Sequence, residues 1–195
     1  MFRYEPLASN NIRLLRPLGQ NKDGLLCYKI KHVSLTAKLT YAALSYTWDV
    51  STDSDPDVEL DGITFRVRRN LHSALRQLHE SQLVDKCLWV DAICINQGTD
   101  DAASSERSNQ ITLMKQIYER ATKVLVWLGA PKDQQEYNRN KLAFKKMKYF
   151  KKLYFKGMTE GRSYRPWCKH NVLSLQSIML MEIRLRVAEE ATYCW

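Results

Sequence analysis

Cys87-Leu-Trp-Val-Asp-Ala-Ile-Cys-Ile95 is an apolar run interrupted only by Asp91. A short, nearly continuous run of this kind marks a strand buried on both faces, as strands of a parallel sheet are. Two more runs resemble it, Tyr41-Ala-Ala-Leu-Ser-Tyr46 and Lys123-Val-Leu-Val-Trp-Leu128, the latter stopped by Gly129 and Pro131. Helical periodicity fills the intervals. Asn70 is placed to cap a helix carrying Leu71, Ala74, Leu75 and Leu78 on one face. A longer helix opens near Ser105 and runs through Ala121, with Ile111, Met114, Ile117, Tyr118 and Ala121 at helical spacing. Strand, helix, strand, helix, strand predicts an α/β fold: an open, mostly parallel sheet with flanking helices.

Upstream, alternating apolar residues predict a strand within Tyr4–Arg16 and a partner over Leu25–Val33, turned at Asn21-Lys-Asp-Gly24. This N-terminal β hairpin occupies a lead-in of residues 1–40. Asp49 to Asp57 is a polar, acidic loop suited to a sheet edge. Val58–Val67 reads as a second hairpin with Asp61-Gly62 at its turn.

Charge and cysteine usage exclude several functions. The 195-residue chain carries a formal net charge of +9, concentrated beyond residue 130; residues 1–130 are nearly neutral. A nucleic-acid-reading domain needs a positive field over its main surface, so nucleic acid is not an expected partner. The five cysteines, Cys27, Cys87, Cys94, Cys168 and Cys194, form no CxxC pair and suit free thiols in a reducing compartment. His32, His72, His79 and His170 show no ligand spacing, so no metal is expected. Neither a phosphate-binding loop nor a GxGxxG turn is present. Met1–Glu5 does not open a signal-peptide pattern, and no run reaches the ~20 apolar residues of a membrane span, which points to a cytoplasmic protein. The basic, aromatic stretch Lys141–Lys156 reads as a surface helix packing its apolar stripe on the sheet; the alternative is a membrane-surface helix.

Four blocks, in order, resemble the HET (heterokaryon-incompatibility) domain of filamentous fungi. They are Tyr41-Ala-Ala-Leu-Ser-Tyr-Thr-Trp48, Asn70-Leu-His-Ser-Ala-Leu75, Leu88-Trp-Val-Asp-Ala-Ile-Cys-Ile-Asn-Gln97, and the stretch from Glu106 through Trp127 to Gly129. Tyr4-Glu-Pro-Leu and Ile12-Arg-Leu-Leu look like the family's lead-in. Two places depart from the pattern. Asp49 stands where the family usually has glycine, and after Tyr164-Arg-Pro-Trp167 the residues to Leu180 leave it. The resemblance therefore places the HET domain at 41–195, altered or truncated after about 167, with residues near 168–186 read as an insertion or a misread splice junction.

That resemblance implies fold and function together. HET domains are distantly TIR-like, so a flavodoxin-like sheet is expected, along with a role in non-self recognition and regulated cell death through self-association or partner binding. In such sheets ligands lie beyond the carboxyl ends of the strands. Ser45, Tyr46, Trp48, Asp91, Asn96 and Gln97 stand there as candidate ligand-binding residues, Trp48 to stack a base and Asp91 or Asn96 to hold ribose hydroxyls. Each also suits a plain structural duty as a rim aromatic, a cap or a turn residue. Some TIR domains cleave NAD, and a carboxylate near the ribose would stabilise the oxocarbenium-like state. Glu182 is the nearest match to the family's glutamate, which makes NAD glycohydrolase the alternative activity and NAD its substrate; no cofactor is required otherwise. Glu106, Gln110 and Trp127 are read as structural members of the fourth block, with Glu106 near a helix start, where a carboxylate suits the dipole.

Overall fold

The computed structural model describes residues 2–84, 86–131, 133–136 and 138, and the backbone of the strand Met181–Ile183. The readings placed on the Lys141–Lys156 stretch, the Arg-Pro-Trp segment, Cys168 and Cys194 lie outside these residues. The chain divides into two compact units, Met1–Trp127 with Leu180–Trp195, and Leu128–Met179.

The first unit is built on one mixed sheet. Its strands are β1 (Asn11–Gln20), β2 (Leu26–Ser34), β3 (Ala42–Tyr46), β4 (Asp57–Leu60), β5 (Ile63–Arg66), β6 (Leu88–Trp89), β7 (Lys123–Trp127) and β8 (Met181–Ile183). They lie in the order β5-β4-β2-β1-β6-β3-β7-β8. The three apolar runs do give adjacent parallel strands: Ala42 pairs with Leu88 on one side of β3 and with Lys123 on the other. The expectation of a mostly parallel sheet with a separate hairpin needs correction, however. β1 and β2 pair antiparallel, β1 pairs antiparallel with β6, and β2 runs parallel to β4, so the hairpin sits inside the sheet. The reason is visible in its side chains. Ile12, Leu14 and Leu15 are almost fully buried, and consecutive buried residues mean a strand covered on both faces.

Turn chemistry closes the hairpins where the sequence placed them. Asn21 Oδ1 accepts from the backbone N–H groups of Asp23 and Leu25, each at 3.0 Å. Asp61 and Gly62 have φ of 50° and 79°, the paired positive values of the two-residue turn that matches strand twist.

Among the described residues of the first unit, three helices flank the sheet: α1 (Arg69–Glu80), the single turn α2 (Asp91–Cys94) and α3 (Asp101–Arg120). α1 buries Leu71, Ala74, Leu75 and Leu78, as its spacing predicts. Its first turn begins one residue before Asn70, which is therefore not the cap; Asp49 reaches across to accept the Asn70 N–H at 3.0 Å instead. α3 begins at Asp101, ahead of Ser105, because Asp100 caps it by accepting from the Ala103 N–H. α3 buries Ala103, Gln110 and Ile117, seven residues apart, and this seam turns Ile111 outward to 60% exposure.

The apolar run that pointed most directly to a strand is strand for only two residues. β6 ends at Trp89, and the chain turns into α2, where Asp91 Oδ1 accepts from the next backbone N–H at 2.7 Å. Val90, Ile93, Cys94 and Ile95 stay buried nonetheless. Burial on all sides makes the run apolar, and apolarity alone does not separate a strand from a buried turn. Among the described cysteines, Cys27 and Cys94 are buried, Cys87 is half-buried, and all three are free thiols.

Candidate functional site

Beyond the carboxyl ends of β3 and β6 the chain brings together Tyr46, Trp48 and Asp91. The Trp48 indole N–H donates to Asp91 Oδ2 at 3.0 Å, and the Tyr46 hydroxyl lies near enough to lower the carboxyl's pKa. The Ala92 N–H occupies the other oxygen. Burial raises the pKa of Asp91, and its hydrogen bonds, those from the Ala92 N–H and the Trp48 indole foremost, only partly offset that rise. Burial likewise pushes the Tyr46 hydroxyl upward, with the Asp91 charge adding to it. Trp48 stays 40% exposed, and the Arg68 guanidinium lies over its ring, 4.8 Å from the centroid. The next large apolar residue along this loop, Val50, is 85% exposed.

Behind this end, Asn70 ties three elements together. Its side-chain N–H donates to the Thr47 carbonyl at 2.6 Å, and its Oδ1 accepts from the Trp127 indole at 2.8 Å. The Trp127 indole thus links the end of β7 to the start of α1. Ser45 is half-buried on β3, in register with Val126.

Asn96 and Gln97 belong mainly to a second centre. Asn96 offers its backbone N–H to Glu106 Oε1 at 2.8 Å, while its side chain accepts from the Gly98 N–H. Gln97 reaches back to the Asp91 carbonyl at 3.2 Å. Glu106 lies in the second turn of α3, past the helix start, and forms a two-pronged pair with Arg13 at 2.6 and 2.9 Å. Arg13 is 1% exposed and also donates to the carbonyls of Cys94 and Glu5, while its guanidinium stacks on Tyr4. Burial would raise the pKa of Glu106, but the Arg13 and Asn96 hydrogen bonds outweigh it and hold the carboxyl below its ordinary value. Gln110 donates to the Asn11 carbonyl at 2.9 Å, joining α3 to the start of β1.

Glu182 is placed on β8, in register with Leu125. Two strands, β3 and β7, separate β8 from β6, the strand that leads into Asp91. At the usual strand spacing that is roughly 14 Å across the sheet. No group of three or more His, Cys, Asp or Glu residues with metal-binding geometry occurs among the described residues. No described helix is long and apolar enough to cross a membrane.

Arg13, Asp49 and Arg68 are residues that sequence reasoning missed. A single arginine inside Ile12-Arg-Leu-Leu15 was the available signal, since a charge in a strand buried on both faces demands a partner.

The sequence profile described as Heterokaryon incompatibility protein (HET) matches residues 41–179. The chain belongs to the HET family. It is 38% identical over 150 residues to "Heterokaryon incompatibility protein 6, OR allele" of Neurospora crassa, which covers 68% of this chain and 21% of that protein. The HET chain thus spans about a fifth of the length of the curated relative it matches. No solved structure matches it. Set on the fold, the matched span begins at Tyr41, the residue before β3, and leaves out β1 and β2, although β1 supplies the cation that holds the family's Glu106.

Proposed function

We propose that this chain acts in fungal non-self recognition and regulated cell death through protein contact, by self-association or by binding a partner, with the Trp48 end as the contact surface. The observation that carries this reading is the split between engaged and presented groups. Arg13, Glu106, Asn70 and Trp127 are engaged inside the domain, whereas Trp48 stands exposed, fixed by Asp91 on its edge and Arg68 on its face. A rigid, exposed aromatic with an adjacent arginine is the usual composition of an energetic centre in protein interfaces, because little side-chain freedom is left to lose on binding. A cytoplasmic setting and a TIR-like arrangement belong to the same reading, the latter supported by the parallel β6-β3-β7 trio. Sedimentation velocity over a concentration series, alone and with fungal extract, tests it. The wild-type chain is expected to enter larger species and Trp48→Ala to remain small; identical behaviour of the two contradicts the proposal.

A second reading, cleavage of NAD, is supported by the joining of Trp48 and Asp91 beyond the strand ends, where ligands of α/β sheets lie. It would use Glu182 as the carboxylate near the ribose. Release of nicotinamide from NAD that is lost in Glu182→Gln supports this reading. No release at high protein concentration counts against it.

A further inference from the structure

A cleft of about 620 Å³ opens between the β1–β2 hairpin and the last turn of α1, away from the Trp48 end. That volume lies in the range of small-molecule sites, roughly 300–1,000 Å³. Its deep wall is apolar, formed by Leu26, Leu75, Leu78 and Leu88, all 3% exposed or less. Gln20, His79 and Gln82 stand among its polar residues, and no Lys or Arg among the described residues lines it. Glu80, a glutamate of the lining, is already paired with Arg76 at 3.3 Å.

Tyr28 distinguishes this cleft from a packing fault. The hydroxyls of Tyr4, Tyr41 and Tyr118 each donate to a backbone carbonyl. Tyr28 is 4% exposed and lines the cleft, yet its hydroxyl has no hydrogen-bond partner among the described residues. Nor is its oxygen one of the enclosed, unpaired side-chain atoms, which are Arg13 Nε, Asp49 Oδ1, Trp89 Nε1 and Gln110 Oε1. The phenol therefore reaches open space at the end of an otherwise buried side chain. Ligand pockets combine apolar walls with a few placed polar groups, so an unpaired hydroxyl that opens into the cleft beside these leucines marks where a ligand's polar atom belongs. The backbone around the cleft is also irregular. β1 bulges between Pro17 and Gly19, and Gln82 holds a φ of 51°, both features that gather at binding sites.

We propose that this cleft binds a small, uncharged, mostly apolar molecule through an oxygen that accepts the Tyr28 hydroxyl hydrogen. Acetophenone, which has one carbonyl acceptor on an apolar body, and ethylbenzene, its counterpart without the acceptor, are the probes. Methyl NMR of the full chain follows Leu26, Leu75, Leu78 and Leu88 in the wild type and in Tyr28→Phe. Acetophenone is expected to give saturable shifts at these methyls, with affinity about five- to tenfold weaker in Tyr28→Phe, as loss of one hydrogen bond implies. Ethylbenzene is expected to bind both proteins equally. Absence of saturable acetophenone shifts overturns the proposal, and so does equal acetophenone affinity for the two proteins. A melting temperature lowered by several degrees in Tyr28→Phe also overturns it, because the hydroxyl would then have a partner within the protein.

Discussion

Two carboxylates of the HET blocks, Glu106 and Asp91, do different work because of the donors around them. Glu106 meets a buried guanidinium, and its pKa falls. Asp91 meets neutral donors, chiefly a backbone N–H and an indole, and its pKa rises. The first centre holds β1, the α2 corner and α3 together through Arg13, whose remaining donors reach the carbonyls of Cys94 and Glu5. The second holds an exposed tryptophan in place. The difference shows that a motif residue's chemistry is set by its counter-group, and that for Glu106 the counter-group lies outside the matched span.

The largest effect expected from breaking this comparison is that of deleting residues 1–40. This removes β1 and β2 from the middle of the sheet and takes Arg13 with them. The fragment is expected to lose cooperative thermal unfolding by circular dichroism; a sharp transition in the fragment would mean that the matched span folds alone. Next in size is Arg13→Met, which leaves Glu106 without its cation. Removing one partner of a buried pair costs about 3–5 kcal/mol in urea denaturation. Adding Glu106→Leu is expected to restore most of that loss, and no recovery would show that the other Arg13 bonds dominate. Asp91→Asn is expected to change stability by about 1 kcal/mol at most, since it weakens the bond from Trp48 but relieves a costly buried charge. Trp48→Ala has the smallest expected effect on stability, below about 1 kcal/mol for a partly exposed side chain, while removing the association proposed for this surface.

The pH dependence sharpens the same contrast, because the two signs are opposite. The folded pKa of Glu106 lies below its unfolded value, so its contribution is complete above the unfolded pKa and disappears as pH falls through the folded one. The folded pKa of Asp91 lies above its unfolded value, so its contribution is present at low pH and is lost as pH rises through the folded pKa. Between about pH 3 and 6, urea stability of the wild type relative to Glu106→Gln should therefore grow with pH, and relative to Asp91→Asn should shrink. Parallel trends would remove the distinction.

Much of the fold was legible because local patterns and tertiary context agreed. The seam on α1, the Asn21 and Asp61-Gly62 turns and the parallel trio all follow from spacing and turn chemistry. Legibility failed where a long-range partner decided the outcome. Asp49 caps α1 from the loop after β3, and no local signal reveals a cap 21 residues away. Cys87–Ile95 read as strand because it is buried all round, but the chain turns at Asp91, whose second oxygen is met by Trp48 from the loop after β3. The place of the hairpin inside the sheet was likewise set by a pairing of β1 with β6, more than seventy residues apart. At the site, the gathering of Tyr46, Trp48 and Asp91 followed from strand-end logic. Arg13 did not, since only the fold brings it to Glu106.

Titration of the side-chain carboxyl carbons of Glu106 and Asp91 by NMR tests most directly whether these two residues live in opposed environments. Glu106 should titrate below the ordinary glutamate value of about 4.3, and Asp91 above the ordinary aspartate value of about 3.9. In Arg13→Met, if the variant stays folded, only the Glu106 midpoint should move upward. A raised midpoint for Glu106 in the wild-type chain, or a lowered one for Asp91, would contradict the account.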